Sequence, residues 1–463
     1  MSRKIQRYDA EVVGGIHGVT CIFPTLRSVV DYEEKKKVPN QGYPRFVPHP
    51  FVVSVQDKHK ERDLEVIAVQ NKEAANFVRL NYFDDELRSC SRVESHNEEN
   101  NNYGLIFVPK KYSRHARESI TNTGIVLNSR KAGRIIGGTN APKQTKTLSF
   151  TLSDLEKESV PELTFTYTSG MTAVFDALSS FWVKGTDAVV VGNTYVDTSR
   201  LFHNFPNRFS HNSATYFKVD DSISIPNSAS LVFLEVPTNP LLQVANLESI
   251  VKKAHDRGAI VVVDSTIASP YHFSPFEFDA DIVIHSTTKS LSGKNNHIGG
   301  VLFVNPRSYN LAKRLHHSIF ALDEEEEIVL EENLRSFPDR IKRTAKNARV
   351  IADYLSDNKG IGKIYLPKGL KNGIGHIISF DLYKEGFEAA ESFYDNCTLQ
   401  IKGPSMGYER TMLMPYTLMT HFLDSDEDLA RIGLKRYLIR LSVGVEDVDE
   451  IIAHLDNGID TIK

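Results

Sequence analysis

Two residues of this chain stand where a sheet would deliver chemistry. Lys289 ends the string His285-Ser286-Thr287-Thr288-Lys289, which follows the apolar run at residues 282–284. Asp264 ends a second run, Ile260-Val261-Val262-Val263. Short β-branched runs without alternation read as strands buried on both faces, as in a parallel sheet. In open α/β sheets the ligand lies beyond the carboxyl ends of the strands, so both side chains fall at a candidate site. The lysine offers an amine nucleophile. Asp264, with no lysine or arginine beside it in sequence, offers a carboxylate for a protonated ring nitrogen.

Ser286 and Thr288 place hydroxyls on either side of this lysine segment and suit a phosphate. Ser169-Gly170-Met171 opens a helix after an apolar run at residues 164–167, and N–H groups at a helix N-terminus point at an anion. A phosphate cradle, an acid for a pyridinium and a lysine amine together describe a site for pyridoxal phosphate. The Ser292-Gly293-Lys294 turn lacks P-loop glycine spacing and the following Ser or Thr, which argues against a nucleotide.

The elements that must position these residues are legible in the same way. Strands are expected at residues 164–167, 187–191, 231–234, 260–263 and 282–284, with a helix from Ser169 through Ala177. Leu247, Ile250, Val251 and Ala254 recur at helical spacing, with Asn246 as the N-cap and Gly258 as the stop. This βαβ rhythm implies a parallel sheet with right-handed crossovers. The acidic run Asp323-Glu324-Glu325-Glu326-Glu327 reads as a solvated helix start. Ile341, Ala345, Ala348, Ile351 and Leu355 suit a long helix across a domain junction, and residues 377–382 and 437–443 read as strands of a smaller α/β unit. Residues 1–90 mix short apolar runs with Pro and Gly, and the polar, Asn-rich residues 91–104 read as an exposed loop. The expected domains are an N-terminal extension or arm (1–145), a large cofactor-binding α/β domain (146–335) and a small C-terminal domain (336–463).

Composition narrows the partners. The 463 residues are 41% hydrophobic and 25% charged with a formal net charge of -4, which lacks the basic surface of a nucleic-acid binder and suits small-molecule partners. Cys21, Cys90 and Cys397 show no metal-ligand spacing, so no metal is expected, and reduced thiols imply a cytoplasmic setting. No apolar run reaches membrane-spanning length, and the N-terminus lacks the apolar core of a secretory signal.

Over roughly residues 120–455 the chain resembles the pyridoxal phosphate-dependent enzymes of Cys/Met metabolism, the cystathionine γ-synthase group. Ser169-Gly170-Met171 looks like the family's phosphate turn. Tyr195-Val196-Asp197-Thr198-Ser199-Arg200-Leu201-Phe202 resembles the segment whose Tyr ring stacks on the cofactor. Glu235-Val236-Pro237-Thr238-Asn239-Pro240 resembles Glu-Ser-Pro-Ser/Thr-Asn-Pro, whose Asn lies near the cofactor's phenolic oxygen and the substrate carboxylate. Asp264-Ser265-Thr266 and the segment ending at Lys289 match the pyridinium partner and the lysine that carries the cofactor. Arg440-Leu441-Ser442-Val443-Gly444-Val445-Glu446-Asp447 resembles the segment whose Arg clamps the substrate carboxylate.

The resemblance implies an aspartate-aminotransferase-like, fold type I large domain and a homodimer or homotetramer. It implies catalytic roles for Lys289 and Tyr195, and cofactor contacts from Ser169, Gly170, Met171, Tyr195, Asn239, Asp264, Ser286, Thr288 and Lys289. Amino-acid substrates would meet Arg440, Asn239 and Ser405. A closer likeness is to fungal-type cystathionine γ-synthases, carried by Phe23-Pro24-Thr25-Leu26, Val30-Asp31-Tyr32-Glu33-Glu34, Gly42-Tyr43-Pro44-Arg45-Phe46, Ser405-Met406-Gly407 and Pro415-Tyr416-Thr417-Leu418.

Three departures stand out. The family's Lys-Tyr-x-x-Gly-His-x-Asp is here Lys289-Ser290-Leu291-Ser292-Gly293-Lys294-Asn295-Asn296, and Gly-Gly of the Tyr segment is Val196-Asp197. The Tyr-x-Arg-x-x-Asn-Pro-Thr motif, which reaches the phosphate of a neighbouring subunit, is not found upstream of Ser169. Asn128-Ser129-Arg130 is its nearest substitute, making Arg130 the candidate phosphate contact. The implied reaction is γ-replacement on an O-acylhomoserine by cysteine, giving cystathionine, as in trans-sulfuration and methionine biosynthesis. The alternatives are a sulfhydrylase or lyase of the same family, or a catalytically weak homologue serving as a regulatory or binding subunit.

Overall fold

The computed structural model describes residues 6–142, 147–204, 213–219 and 222–463. The expected boundary between residues 145 and 146 lies outside them, as does the N-terminal tip.

Helix α1 (Leu26–Glu33) begins in a capping box, with the Thr25 side chain accepting from the Ser28 N–H. Its apolar face, Leu26 and Val29, is buried in the core of the C-terminal domain. Helix α2 (Pro50–Lys58) lies beside a three-stranded antiparallel sheet of β1 (Leu64–Val69), β2 (Arg92–Glu98) and β3 (Asn101–Pro109), in the order β1-β3-β2. Helices α3 (Ser113–Thr123) and α4 (Ser129–Gly137) follow.

Residues 91–104 are therefore a β-hairpin and not the expected loop. The turn falls at Glu99 and Asn100, both with positive φ (48° and 61°), and the Asn101 side chain ties it to the Thr139 carbonyl at 2.9 Å. An edge strand with polar residues on its outer face has the composition of a loop, which explains the misreading.

The large domain runs through α5 (Leu148–Leu155), β4 (Thr164–Tyr167), α6 (Gly170–Phe181), β5 (Asp187–Val191), α7 (Val196–Asn204), β6 (Ser213–Phe217), β7 (Ala229–Glu235), α8 (Leu247–His255), β8 (Ile260–Asp264), β9 (Ile282–His285), β10 (Gly300–Val304) and α9 (Glu324–Leu334). The strands form a seven-stranded sheet in the order β6-β5-β7-β8-β9-β10-β4. Pairing is parallel from β6 to β9, and β10 runs antiparallel to both β9 and β4. The apolar runs read from sequence are the strands of this sheet, buried on both faces as their lack of alternation requires. Asn246 caps α8 by accepting from the Ser249 N–H at 3.1 Å, and Gly258 beyond it takes φ 71°.

The C-terminal domain is a five-stranded sheet with helices α10 (Phe337–Ser356), α11 (Phe387–Asn396) and α12 (Val448–Ile459). Its strands β11 (Ile361–Tyr365), β12 (Ile377–Leu382), β13 (Ile401–Lys402), β14 (Met412–Pro415) and β15 (Ile439–Ser442) lie in the order β11-β12-β15-β14-β13. The architecture is the expected one: a large, mostly parallel sheet domain with a smaller α/β domain. Among the described residues, no helix is long and apolar enough to cross a membrane.

The acidic run does start a helix, with Asp323 as N-cap of α9, but it is not solvated. Asp323 and Glu326 are each 2% exposed. Arg134 pairs with Asp323 at 2.8 Å and with Glu325, while Arg130 reaches Glu326 Oε1 at 2.8 Å and His297 reaches its other oxygen at 2.7 Å. Burial alone would raise the Glu326 carboxyl, but Arg130 and His297 outweigh it and hold it at about 2 against an ordinary 4.5. A depressed carboxyl contributes stability that is complete above its unfolded value and lost as the pH falls through the folded one. We expect Glu326→Gln to lower stability by about 3–5 kcal/mol at neutral pH, because it strands Arg130. The variant should also lose less further stability than wild type between pH 4.5 and 2. Urea denaturation at stepped pH measures both, and an unchanged acid limb would sink the assignment.

Candidate active site

The site is assembled at the carboxyl ends of β7, β8 and β9 and closed by residues from both ends of the chain. Ser169 caps α6, its Oγ accepting from the Thr172 N–H at 3.1 Å. A Cβ on Gly170 would stand 2.8 Å from the Cβ of Ser286, so the helix N-terminus and the Ser286 turn approach as only glycine allows. Met171 is buried and accepts a long hydrogen bond from Thr198 through its sulfur, 3.8 Å. Ser286 thus joins the Ser169-Gly170-Met171 turn. Thr288 does not offer a free hydroxyl, because its Oγ1 accepts from the Gly299 N–H at 3.0 Å and donates to the Gly299 carbonyl at 3.3 Å.

Lys289 Nζ donates to Ser405 Oγ at 3.0 Å and toward the Tyr43 hydroxyl at 3.5 Å, and it lies 4.7 Å from the centre of the Tyr43 ring. Burial pushes the Lys289 amine below the ordinary lysine value; Tyr43 opposes that, and the positive charges of Arg440 and Arg45 add to it. The amine is therefore closer to its neutral, nucleophilic form than a surface lysine. Ser405 takes φ 98°, a conformation uncommon outside glycine. That strained backbone aims its hydroxyl at Lys289 while its carbonyl accepts from Arg440.

Asp264 and Glu235 are partners across β8 and β7. Burial first, and then the Asp264 charge, push Glu235 well above the carboxylate range, and its Oε1 accepts from the Tyr195 N–H at 2.6 Å. Burial also raises Asp264, against two hydrogen bonds with Thr266 that favour its anion. The Asp264 charge favours the protonated form of Glu235, while the Thr266 hydrogen bonds favour the anion of Asp264, which suits Asp264 to face a cation.

Arg440 donates through Nη1 to Asn239 Oδ1 at 3.0 Å and through Nη2 to the Ser405 carbonyl at 2.8 Å, with its guanidinium 5.0 Å from the Tyr416 ring centre. It is 4% exposed, and its Nε has no partner. A buried guanidinium with an unmet N–H is an incomplete anion site. The Tyr195 hydroxyl accepts from Arg45 Nη2 at 3.0 Å.

Arg130 does not join this group. Its Nη1 is committed to the Asn296 carbonyl and to Glu326, both at 2.8 Å. A buried ion pair of that kind is costly to break, and within the chain Arg130 is held by it, away from the Ser169-Gly170-Met171 turn. Two residues were missed, Tyr43 and Arg45. The signal was present, since Tyr43-Pro44-Arg45 has Tyr-x-Arg spacing, but it stands far upstream of Ser169 in sequence. Asp197, noted only as a departure from glycine, is paired with Arg45 at 3.0 Å.

These residues fit pyridoxal phosphate: a cradle closed to all but glycine, a buried amine, a carboxylate kept for a cation and an arginine with an open N–H. Residues 125–460 match the model of the family described as Cys/Met metabolism PLP-dependent enzyme. L-methionine gamma-lyase of Fusobacterium nucleatum is 31% identical over 64% of this chain and 79% of its own length. Cystathionine gamma-lyase of Dictyostelium discoideum is 30% identical over 64% of this chain and 80% of its own. Among solved structures, cystathionine gamma synthase from Xanthomonas oryzae pv. oryzae superposes with a TM-score of 0.62 at 25% identity, over 69% of this chain and 86% of that one. Fold and site define a pyridoxal phosphate enzyme of fold type I. The chain belongs to the Cys/Met metabolism family of these enzymes.

Proposed function

We propose that this chain catalyses γ-replacement, joining an O-acylhomoserine and cysteine into cystathionine, as a fungal-type cystathionine γ-synthase in the cytoplasm. One observation supports the finer reading. Three of the five strings that carry the closer resemblance converge on the two functional groups: Tyr43 and Ser405 on Lys289, and Tyr416 beneath Arg440.

When bound, pyridoxal phosphate supplies an electron sink for the pair left at the substrate Cα. Ser169, Gly170, Met171 and Ser286 would hold its phosphate, Asp264 its ring nitrogen, Lys289 its carbonyl carbon, and Tyr195 and Asn239 would line its ring. Arg440 binds the substrate carboxylate through the open side of its guanidinium and so fixes the Cα–H bond. The Lys289 amine would move protons at the substrate Cα and Cβ, with the Ser405 hydroxyl and Tyr43 orienting it. The acyl group leaves Cγ as a carboxylate, and the cysteine sulfur bonds to Cγ with loss of its proton. Arg440→Lys loses the planar fork, and we expect KM for the homoserine ester to rise about 10–100-fold with a smaller change in kcat. Steady-state kinetics tests this, and an unchanged KM would remove Arg440 from the carboxylate.

The matches to gamma-lyases favour a second reading, elimination from cystathionine or methionine. Purified protein given O-acetylhomoserine with cysteine, the same ester with sulfide, or cystathionine alone separates the readings. Cystathionine from the first mixture is the expected result. Turnover with sulfide only would make the chain a sulfhydrylase, and turnover of cystathionine only would make it a lyase. A colourless preparation that pyridoxal phosphate does not reconstitute would point to a binding subunit.

A further inference from the structure

Arg340, in the first turn of α10, is 7% exposed. Its Nη2 donates to the Ser290 and Leu291 carbonyls at 2.7 and 2.9 Å, and its Nη1 to Ser336 Oγ at 2.8 Å. These bonds use three of the five N–H groups of a guanidinium, and all three acceptors are neutral. A Cβ on Gly293 would stand 2.1 Å from Arg340 Nε, so the guanidinium lies directly against that glycine. The acid that acts on Arg340 is Glu409, which is itself paired with Lys294. Burial pushes Arg340 down to about 10, which still leaves a cation at neutral pH. Buried charges are ordinarily paired, because an uncompensated ion away from water is costly. Arg440 is assigned the substrate carboxylate, but no anion has yet been assigned to Arg340.

Beside Arg340 is a small cavity. Its walls include Arg340, Thr344, Ser290, Gly407 and His376, and its volume is about 10 Å³ measured at the centre of a water-sized sphere, room for one small occupant. His376 is 2% exposed, and its Nδ1 has no hydrogen-bond partner. Burial first, and then charge on His272, Arg340 and Arg440, push its imidazole down to about 3. It is therefore neutral at ordinary pH and carries one N–H. The groups whose charge disfavours the imidazolium would favour an anion at the same place, and a water would leave Arg340 uncompensated.

We propose that this cavity binds a single small anion of halide size, such as chloride, between Arg340 and His376. The anion neutralises Arg340 and, through the Ser290 and Leu291 carbonyls, braces the turn that follows Lys289. Gly407 ties the second wall to the same turn, since a Cβ on it would stand 2.4 Å from the Ser290 nitrogen. The site is thus bounded by the segments that carry Lys289 and Ser405, yet it does not depend on which reaction the chain performs.

Two measurements on the holoenzyme test this. Crystals grown in bromide, with diffraction collected at the bromine edge, are expected to show an anomalous peak touching Arg340 and His376. A water there without anomalous signal, or a bromide peak at Arg440 alone, would overturn the proposal. In solution, thermal unfolding is followed in chloride and in gluconate at one ionic strength. An anion that binds only the native state raises Tm by mass action, so chloride should give a saturable rise of about 2 °C that the bulkier gluconate does not. Thr344→Ile, which fills the cavity and leaves Arg440 untouched, should abolish that difference. An equal rise in Thr344→Ile and wild type would place the effect elsewhere and overturn the site. Should Thr344→Ile fail to accumulate, the bromide crystals decide alone.

Discussion

Lys289→Ala is expected to lower turnover by about 10⁴-fold and to abolish the visible absorption of lysine-bound cofactor that borohydride bleaches. The size follows from the amine's two tasks, as the covalent anchor and as the proton carrier, because neither neighbour can substitute for it. Ser405 and Tyr43 are the groups that touch Nζ, at 3.0 and 3.5 Å, and neither is an amine. Lys289→Arg is the stricter control. It keeps a charge near Tyr43, but a guanidinium stays protonated and does not act as a nucleophile. Turnover above a tenth of wild type in either variant, or a retained visible band in the alanine protein, would remove Lys289 from the centre of the chemistry.

Asp264→Asn is expected to leave the fold and the lysine linkage in place while cutting kcat by about 10²–10⁴-fold. The estimate converts the roughly 3–5 kcal/mol lost when a buried charge pair loses one member, at about 1.4 kcal/mol per tenfold. An amide is nearly isosteric with the carboxylate and keeps the acceptor that Thr266 N–H meets at 2.9 Å, so folding should be spared. What it removes is the charge that favours a protonated ring nitrogen. With Asp264 neutral, Glu235 also loses the neighbouring charge that helps hold it protonated and should titrate lower. A pH profile of kcat whose acid limb moves in Asp264→Asn tests that coupling directly. An amide variant with wild-type kcat would refute the pyridinium role.

The sheet was readable because strands buried on both faces write themselves as unbroken β-branched runs, and residues 260–263 and 282–284 do so plainly. The strands begin or end within two residues of the expected limits, and Asp264 and His285 join their own strands. Polar structure was harder. The hairpin at β2 and β3 looked like a loop because β2 is a polar edge strand, and the acidic start of α9 looked solvated because its counter-ions come from far away. Arg130 is 196 residues from Glu326 in sequence, and no local pattern reports such a meeting. Arg130 was read as the candidate phosphate contact because its charge was visible in sequence and its pairing with Glu326 was not. The short strings near Tyr43, Ser405 and Tyr416 were noticed without a physical role, and the folded chain gives them one, around Lys289 and Arg440.

The contacts at Lys289 also fix a sequence of events. Its amine meets Tyr43 from 246 residues upstream and Ser405 from 116 residues downstream, while Arg440 meets Asn239 across 201. Contacts that close loops of this length form late, after local helices and neighbouring strands. A ribosome-bound chain that has just released β9 has made Lys289 and Asp264, but not the arginine or the serine that would give them a substrate and a direction. Catalytic competence is thus withheld until the last strand, β15, is in place. In a refolding experiment, helical signal should return before activity does.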